Sequence, residues 1–123
     1  MAGEFKRHNF KKLKIWHMAM DIAKSIFDLT DTFPPHEKFG LKNQMDRCSV
    51  SIPSNIAEGS SRTSKSFRHF IDISLGSSFE LHTQLLLARH RNYISEERTL
   101  EIENRIEEFQ RMTMGFQNTL GSE

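Results

Sequence analysis

The sequence predicts an all-α protein, an antiparallel up-down-up-down four-helix bundle with its second helix kinked near Pro53, and three observations carry that prediction. Apolar residues recur at three- and four-residue steps in four separate runs, the period of an amphipathic helix. No run alternates apolar and polar residues as a half-buried strand does, and no Gly-rich hairpin signal is present. The breaks between runs are short, so consecutive helices are expected to lie antiparallel. With 123 residues the chain fits a single domain over 1–123, with 1–9 and 121–123 expected to be flexible ends. A domain of this size buries roughly two thirds of its unfolded surface and needs no metal or disulfide to hold it.

The first helix is carried by Leu13, Trp16, Met20, Ala23, Phe27 and Thr30. Ile15, Ile22 and Leu29 repeat on a neighbouring face, and the wide stripe implies packing against two neighbours or another subunit. Phe33-Pro34-Pro35-His36 ends this run, because two prolines cannot continue a helix and the residue before a proline is driven to extended geometry. The second helix starts near Phe39 to Leu41 and places Leu41, Met45, Cys48, Ile52 and Ile56 on one face. Pro53 lies inside it, at a typical cost of about 3 kcal/mol in a helix interior, so either a kink or two abutting helices must follow; the unbroken period favours the kink. Ser49 and Ser51 are placed to satisfy a freed carbonyl, and Gly59 reads as the stop before a polar loop through Ser64.

The third helix opens after Ser64 as N-cap and presents Phe67, Phe70, Ile71, Ser74, Ser78, Leu81, Leu85 and Ala88. Its small centre, Ser74-Leu75-Gly76-Ser77-Ser78, has poor helix propensity, so close approach of a neighbour is expected there. A turn at Tyr93-Ile94-Ser95 leads to the fourth helix, which has Glu96 and Glu97 in its first turn, where the helix dipole favours them. Its core face is Ile102, Ile106, Phe109, Thr113, Phe116 and Leu120.

Net charge is only +1, yet the two ends of the chain differ. Residues 1–14 carry five basic residues against Glu4, whereas residues 95–123 carry three arginines against seven glutamates. The single cysteine, Cys48, falls in an apolar period and is expected to be a small buried hydrophobe in a reducing compartment. No apolar run is long enough to span a bilayer and no signal-peptide core is evident, so a cytoplasmic protein without membrane contact is expected.

No catalytic, cofactor or metal motif emerges. The six histidines contain no pair three or four apart, and neither a phosphate-cradling glycine loop nor a nucleophile elbow is present. The most suggestive polar set is Arg47, Asn55, Glu58, Glu80 and Gln84. As an active site it would pair Glu58 with Glu80; as a structural network it would pair Arg47 with Glu80 and use Asn55, Glu58 and Gln84 near Pro53. The structural role is favoured, because a proline inside a helix frees backbone groups that need partners. In an antiparallel bundle the start of the first helix, the end of the second and the start of the third share one end. That topology gathers Lys11, Lys12, Lys14, Arg62, Lys65 and Arg68 into a candidate surface for RNA or DNA. A solubilising surface, or contact with the acidic fourth helix, is the competing use of these charges.

Phe33-Pro34, Phe39-Gly40-Leu41, Gln44, Arg47, Arg62, Phe67, Gly76-Ser77, Glu80-Leu81 and Thr83-Gln84-Leu85, with the run from Ser51 to Gly59, resemble the bacterial four helix bundle protein family, also called the 23S rRNA intervening-sequence protein family. More distantly the chain is similar to the accessory variability determinant of diversity-generating retroelements, a pentameric basic bundle that binds nucleic acid and a reverse transcriptase. The resemblance implies a four-helix protomer, a ring-shaped homo-oligomer such as a pentamer, and a link to nucleic acid or a nucleic-acid-processing protein. The family often has two basic residues where this chain has Asp46-Arg47. The resulting expectation is a non-enzymatic, self-associating binding or accessory module. Its alternative is a structural or protein-binding oligomer with no nucleic-acid role.

Overall fold

A computed structural model describes residues 7–121. Four helices carry the fold: α1 (Lys14–Thr30), α2 (Leu41–Ser60), α3 (Ser64–His90) and α4 (Glu96–Asn118), with single 3-10 turns at Phe10–Lys12 and Pro35–Glu37. No strand occurs among the described residues. Each helix packs on its chain neighbour, and α1 against α4 closes the ring. The pairings run antiparallel: Ser74 and Cys48 bond across α2 and α3 to the carbonyls of Ile52 and Ser77, and Arg68 at the start of α3 reaches the end of α4. The core is built from the expected periods, with Ile22, Ile26, Met45, Ile52, Ile56, Phe67, Ile71, Leu81, Leu85, Ile102, Ile106 and Phe109 essentially inaccessible.

α2 continues as one helix from Leu41 to Ser60 through the buried Pro53. Side chains serve the backbone around it. Ser51 Oγ donates to the Cys48 carbonyl at 2.7 Å, Asn55 Nδ2 to Ser51 at 2.8 Å, and Ser74 Oγ, from α3, to Ile52 at 2.8 Å. These bonds go to carbonyls flanking Pro53; the carbonyl four residues back, that of Ser49, which loses its donor to the proline, is not among their acceptors.

Neither of two glycines plays the role expected of it. Gly59 does not stop α2, which runs one residue further; it is buried, and a Cβ placed there would come within 2.6 Å of Phe70 Cβ and 2.7 Å of Phe67 Cδ1. Gly76, in the small centre of α3, has nothing within 4 Å of such a Cβ. The close approach at that level is made instead by buried Ser74 and Ser78; Ser78 donates to Leu75 and accepts from Gln110 Nε2 of α4. The N-cap of α3 is Thr63 rather than Ser64, its hydroxyl accepting from Ser66 N–H. Just beyond the end of α3, Asn92 sits at φ 64°, a left-handed conformation that asparagine tolerates, and Tyr93 N–H closes back on the Ala88 carbonyl at 3.0 Å. Cys48 is buried, as its period implied, and its thiol donates to the Ser77 carbonyl at 3.1 Å. Burial, then the neighbouring Glu80 carboxylate, pushes its pKa up to about 12.

Of the ends expected to be flexible, residues 1–6 and 122–123 lie outside the described residues. Residues 7–9 lie along the end of the bundle: His8 N–H donates to the Ser60 carbonyl at 3.0 Å, and its ring meets Phe67 and Phe116 edge-on at 5.3 and 5.7 Å.

Candidate nucleic-acid interface

Helix polarity sets this surface. The first residues of α1, the last of α2 and the first of α3 meet at one end, and the 3-10 turn Phe10–Lys12 packs there against both α1 and α2. Lys11, Lys12, Lys14 and Lys65 are all exposed at this end. Among the described residues none of these four has a carboxylate within ion-pair distance.

Arg62 and Arg68 stand at the same end but have structural duties. Arg62 pairs with Glu58 one turn back at 3.2 Å and lies over the Phe70 ring, 5.2 Å from its centroid. Arg68 Nη1 donates to the carbonyls of Gln117 and Leu120 at 2.9 and 3.2 Å, capping the C-terminal end of α4, where the helix dipole favours a cation. Gln117 answers with bonds to the Arg68 carbonyl and Asp72. The sequence reading omitted Arg7, whose Nε donates to the Ser61 carbonyl at 2.9 Å and which adds a further cation to this end. Its place becomes visible only once residues 7–9 are seen to run past the end of α2. The acidic face of α4 makes its contacts elsewhere: Glu96 with Arg89, Glu101 with Arg98 and Glu103 with His82.

The polar set from Arg47 to Gln84 does not assemble as one network. Arg47 and Glu80 are both exposed and form no ion pair, because Glu80 lies beside Cys48 instead. Asn55 does serve the backbone beside Pro53, whereas Glu58 sits at the basic end with Arg62. Gln84 is buried, and its Oε1 has no hydrogen-bond partner. Asp46 accepts from the Thr30 hydroxyl and pairs with Lys42 at 3.1 Å. The negative charge therefore joins α1 to α2.

A shallow groove of about 340 Å³ runs along the flank of α1 and α2, lined chiefly by Phe10, Trp16, Met20, Phe27, Val50 and Pro53. Trp16, expected in the core, is only partly buried and forms the groove wall, stacked edge-on against Phe10 at 5.1 Å. Phe27 and Val50 remain about two fifths exposed, at 40% and 43%. No helix among the described residues is long and apolar enough to cross a membrane.

Comparison with known proteins agrees with this architecture. A crystal structure at 1.70 Å of a protein of unknown function from the S23 ribosomal protein family of Bacteroides thetaiotaomicron VPI-5482 superposes with a TM-score of 0.78. Identity is 23%, over 85% of this chain and 99% of that one, so the likeness is one of fold. No curated protein matches the sequence. The match to the 23S rRNA-intervening sequence protein family spans residues 11–115, from the first lysines of the basic end to the last turn of α4, and the chain belongs to that family.

Proposed function

We propose that this protein is a self-associating, non-enzymatic helical scaffold whose basic end docks on the phosphate backbone of RNA or DNA. The observation that carries this reading is the group of four exposed lysines, Lys11, Lys12, Lys14 and Lys65, presented by three chain segments at one end with no carboxylate partner among the described residues. Unneutralised cations attract a polyanion by releasing its condensed counterions. The helix ends add little net charge, because the N-termini of α1 and α3 and the C-termini of α2 and α4 share this end and their dipoles offset. Recognition would therefore depend on backbone charge, with base identity secondary. Self-association is supported by the apolar groove flanked by Phe27 and Val50. The distant resemblance makes a pentamer the expected assembly.

The test is binding of short RNA and DNA duplexes by the full chain across a salt series. Engagement of four phosphates lowers duplex affinity about 100-fold between 50 and 200 mM salt. Salt-independent binding, or none at low salt, overturns the proposal. The same groove also favours a second reading, an oligomer that binds only protein. In that case Val50→Glu lowers the mass in solution while no salt-dependent nucleic-acid binding is seen.

A further inference from the structure

Packing of α3 on α4 brings together three side chains that the sequence keeps apart. His82 on α3, and Glu103 and Glu107 on α4, each offer one ligand atom, and these atoms all lie within 4.8 Å of one another. His82 Nε2 stands 2.7 Å from Glu103 Oε2, and both side chains are partly buried, at 18% and 23% exposure. Glu107 lies one helical turn beyond Glu103, so the two carboxylates share a face. No lysine or arginine among the described residues lies within ion-pair distance of either. Two neighbouring negative charges therefore face a single imidazole, which can compensate only one of them and only when protonated.

We propose that His82, Glu103 and Glu107 bind a divalent transition-metal ion of the Zn2+ class that fastens α3 to α4. One imidazole nitrogen with two carboxylate oxygens suits Zn2+, Mn2+ or Fe2+, whereas Ca2+ and Mg2+ favour all-oxygen shells of six or more ligands. The two carboxylates cancel the charge of the ion. Three protein ligands leave a fourth tetrahedral position for water. Ligands about 2.0–2.2 Å from a common ion sit farther apart than hydrogen-bonded atoms, so Glu103 must open its present contact slightly. The exposed Glu107 can then swing in to complete the set. Phe79 and Leu86 stand one turn to either side of His82 on α3, and Leu100 one turn before Glu103 on α4; all three are about half exposed. The site is independent of the basic end. Histidine spacing along the chain could not reveal it, since its one histidine and its glutamates belong to different helices.

The experiment is calorimetric titration of the full chain with Zn2+, paired with thermal unfolding and the visible absorption of bound Co2+. One-to-one binding is expected, with a rise in melting temperature and a Co2+ spectrum of low coordination number. Glu107→Gln, at an exposed side chain with no ion-pair partner among the described residues, does not lower the metal-free melting temperature and weakens Zn2+ binding about 10- to 100-fold. His82→Gln gives the same loss, and His69→Gln gives none. Absence of one-to-one binding overturns the proposal, as does Zn2+ affinity indifferent to Glu107→Gln and His82→Gln, which assigns the ion to other histidines.

Discussion

The two ends of the bundle use charge differently. At the end where α1 finishes and α2 begins, one lysine ties two helices together: Lys42 bridges Asp31 at 3.0 Å and Asp46 at 3.1 Å, while Lys38 lies over the Phe39 ring. Glu37 accepts from the Tyr93 hydroxyl at 2.7 Å and from Leu41 N–H at 3.0 Å, joining the loop before α2 to the turn between α3 and α4. These bonds, Tyr93 first, hold the Glu37 carboxyl below its ordinary value. At the opposite end the arginines have partners, and four lysines face solvent with no carboxylate within ion-pair distance among the described residues. Matched charges secure the fold, while unmatched ones remain available to a partner. Net charge cannot distinguish the two arrangements, because it sums over both.

The largest effect is expected at the packing beneath the basic end. Gly59→Ala forces a methyl against Phe67 and Phe70 and is expected to destabilise by about 3 kcal/mol, read by chemical denaturation, with the presentation of Arg62 and Lys65 disturbed as a consequence. Next in size is joint replacement of Lys11, Lys12, Lys14 and Lys65 by Gln. Nucleic-acid affinity at low salt should fall about 100-fold while the melting temperature stays within a degree or two. Lys42→Met at the other end is expected to do the reverse, costing less than about 1 kcal/mol of stability and leaving nucleic-acid affinity unchanged. Gly76→Ala, on an open helix surface, should stabilise by about 0.5–1 kcal/mol, in contrast to Gly59. The smallest effect is with pH. A carboxyl whose folded pKa is depressed contributes stability above its unfolded value, so the Glu37 contribution is present at neutral pH and is lost as pH falls below 4.5. Glu37→Gln should flatten that part of the acid limb in a pH series of melting temperatures.

The helices were legible because their apolar residues repeat with one period over many turns, and Asn55 was legible because its partner is one turn away in the same helix. Contacts between helices were less so. Arg47 and Glu80 fail to meet because pairing depends on the rotational phase of α2 against α3, which no local pattern encodes. Arg68 looked like a surface cation until the register of α3 on α4 placed two orphan carbonyls beside it. Gly59 and Gly76 show the same limit: a glycine that ends a helix, one that admits an aromatic ring and one that merely tolerates solvent are identical in sequence. Arg7 and His82 were missed because their partners are distant in the chain.

Cys48 gives the molecule an internal clock. Its thiol is buried, held by a carbonyl of the facing helix and far from ionisation at neutral pH, so a thiol-specific reagent must wait for α2 to part from α3. The labelling rate of this one atom therefore counts openings of that helix pair directly, without an added probe. Whatever binds the folded protein can be timed by how far it slows that count.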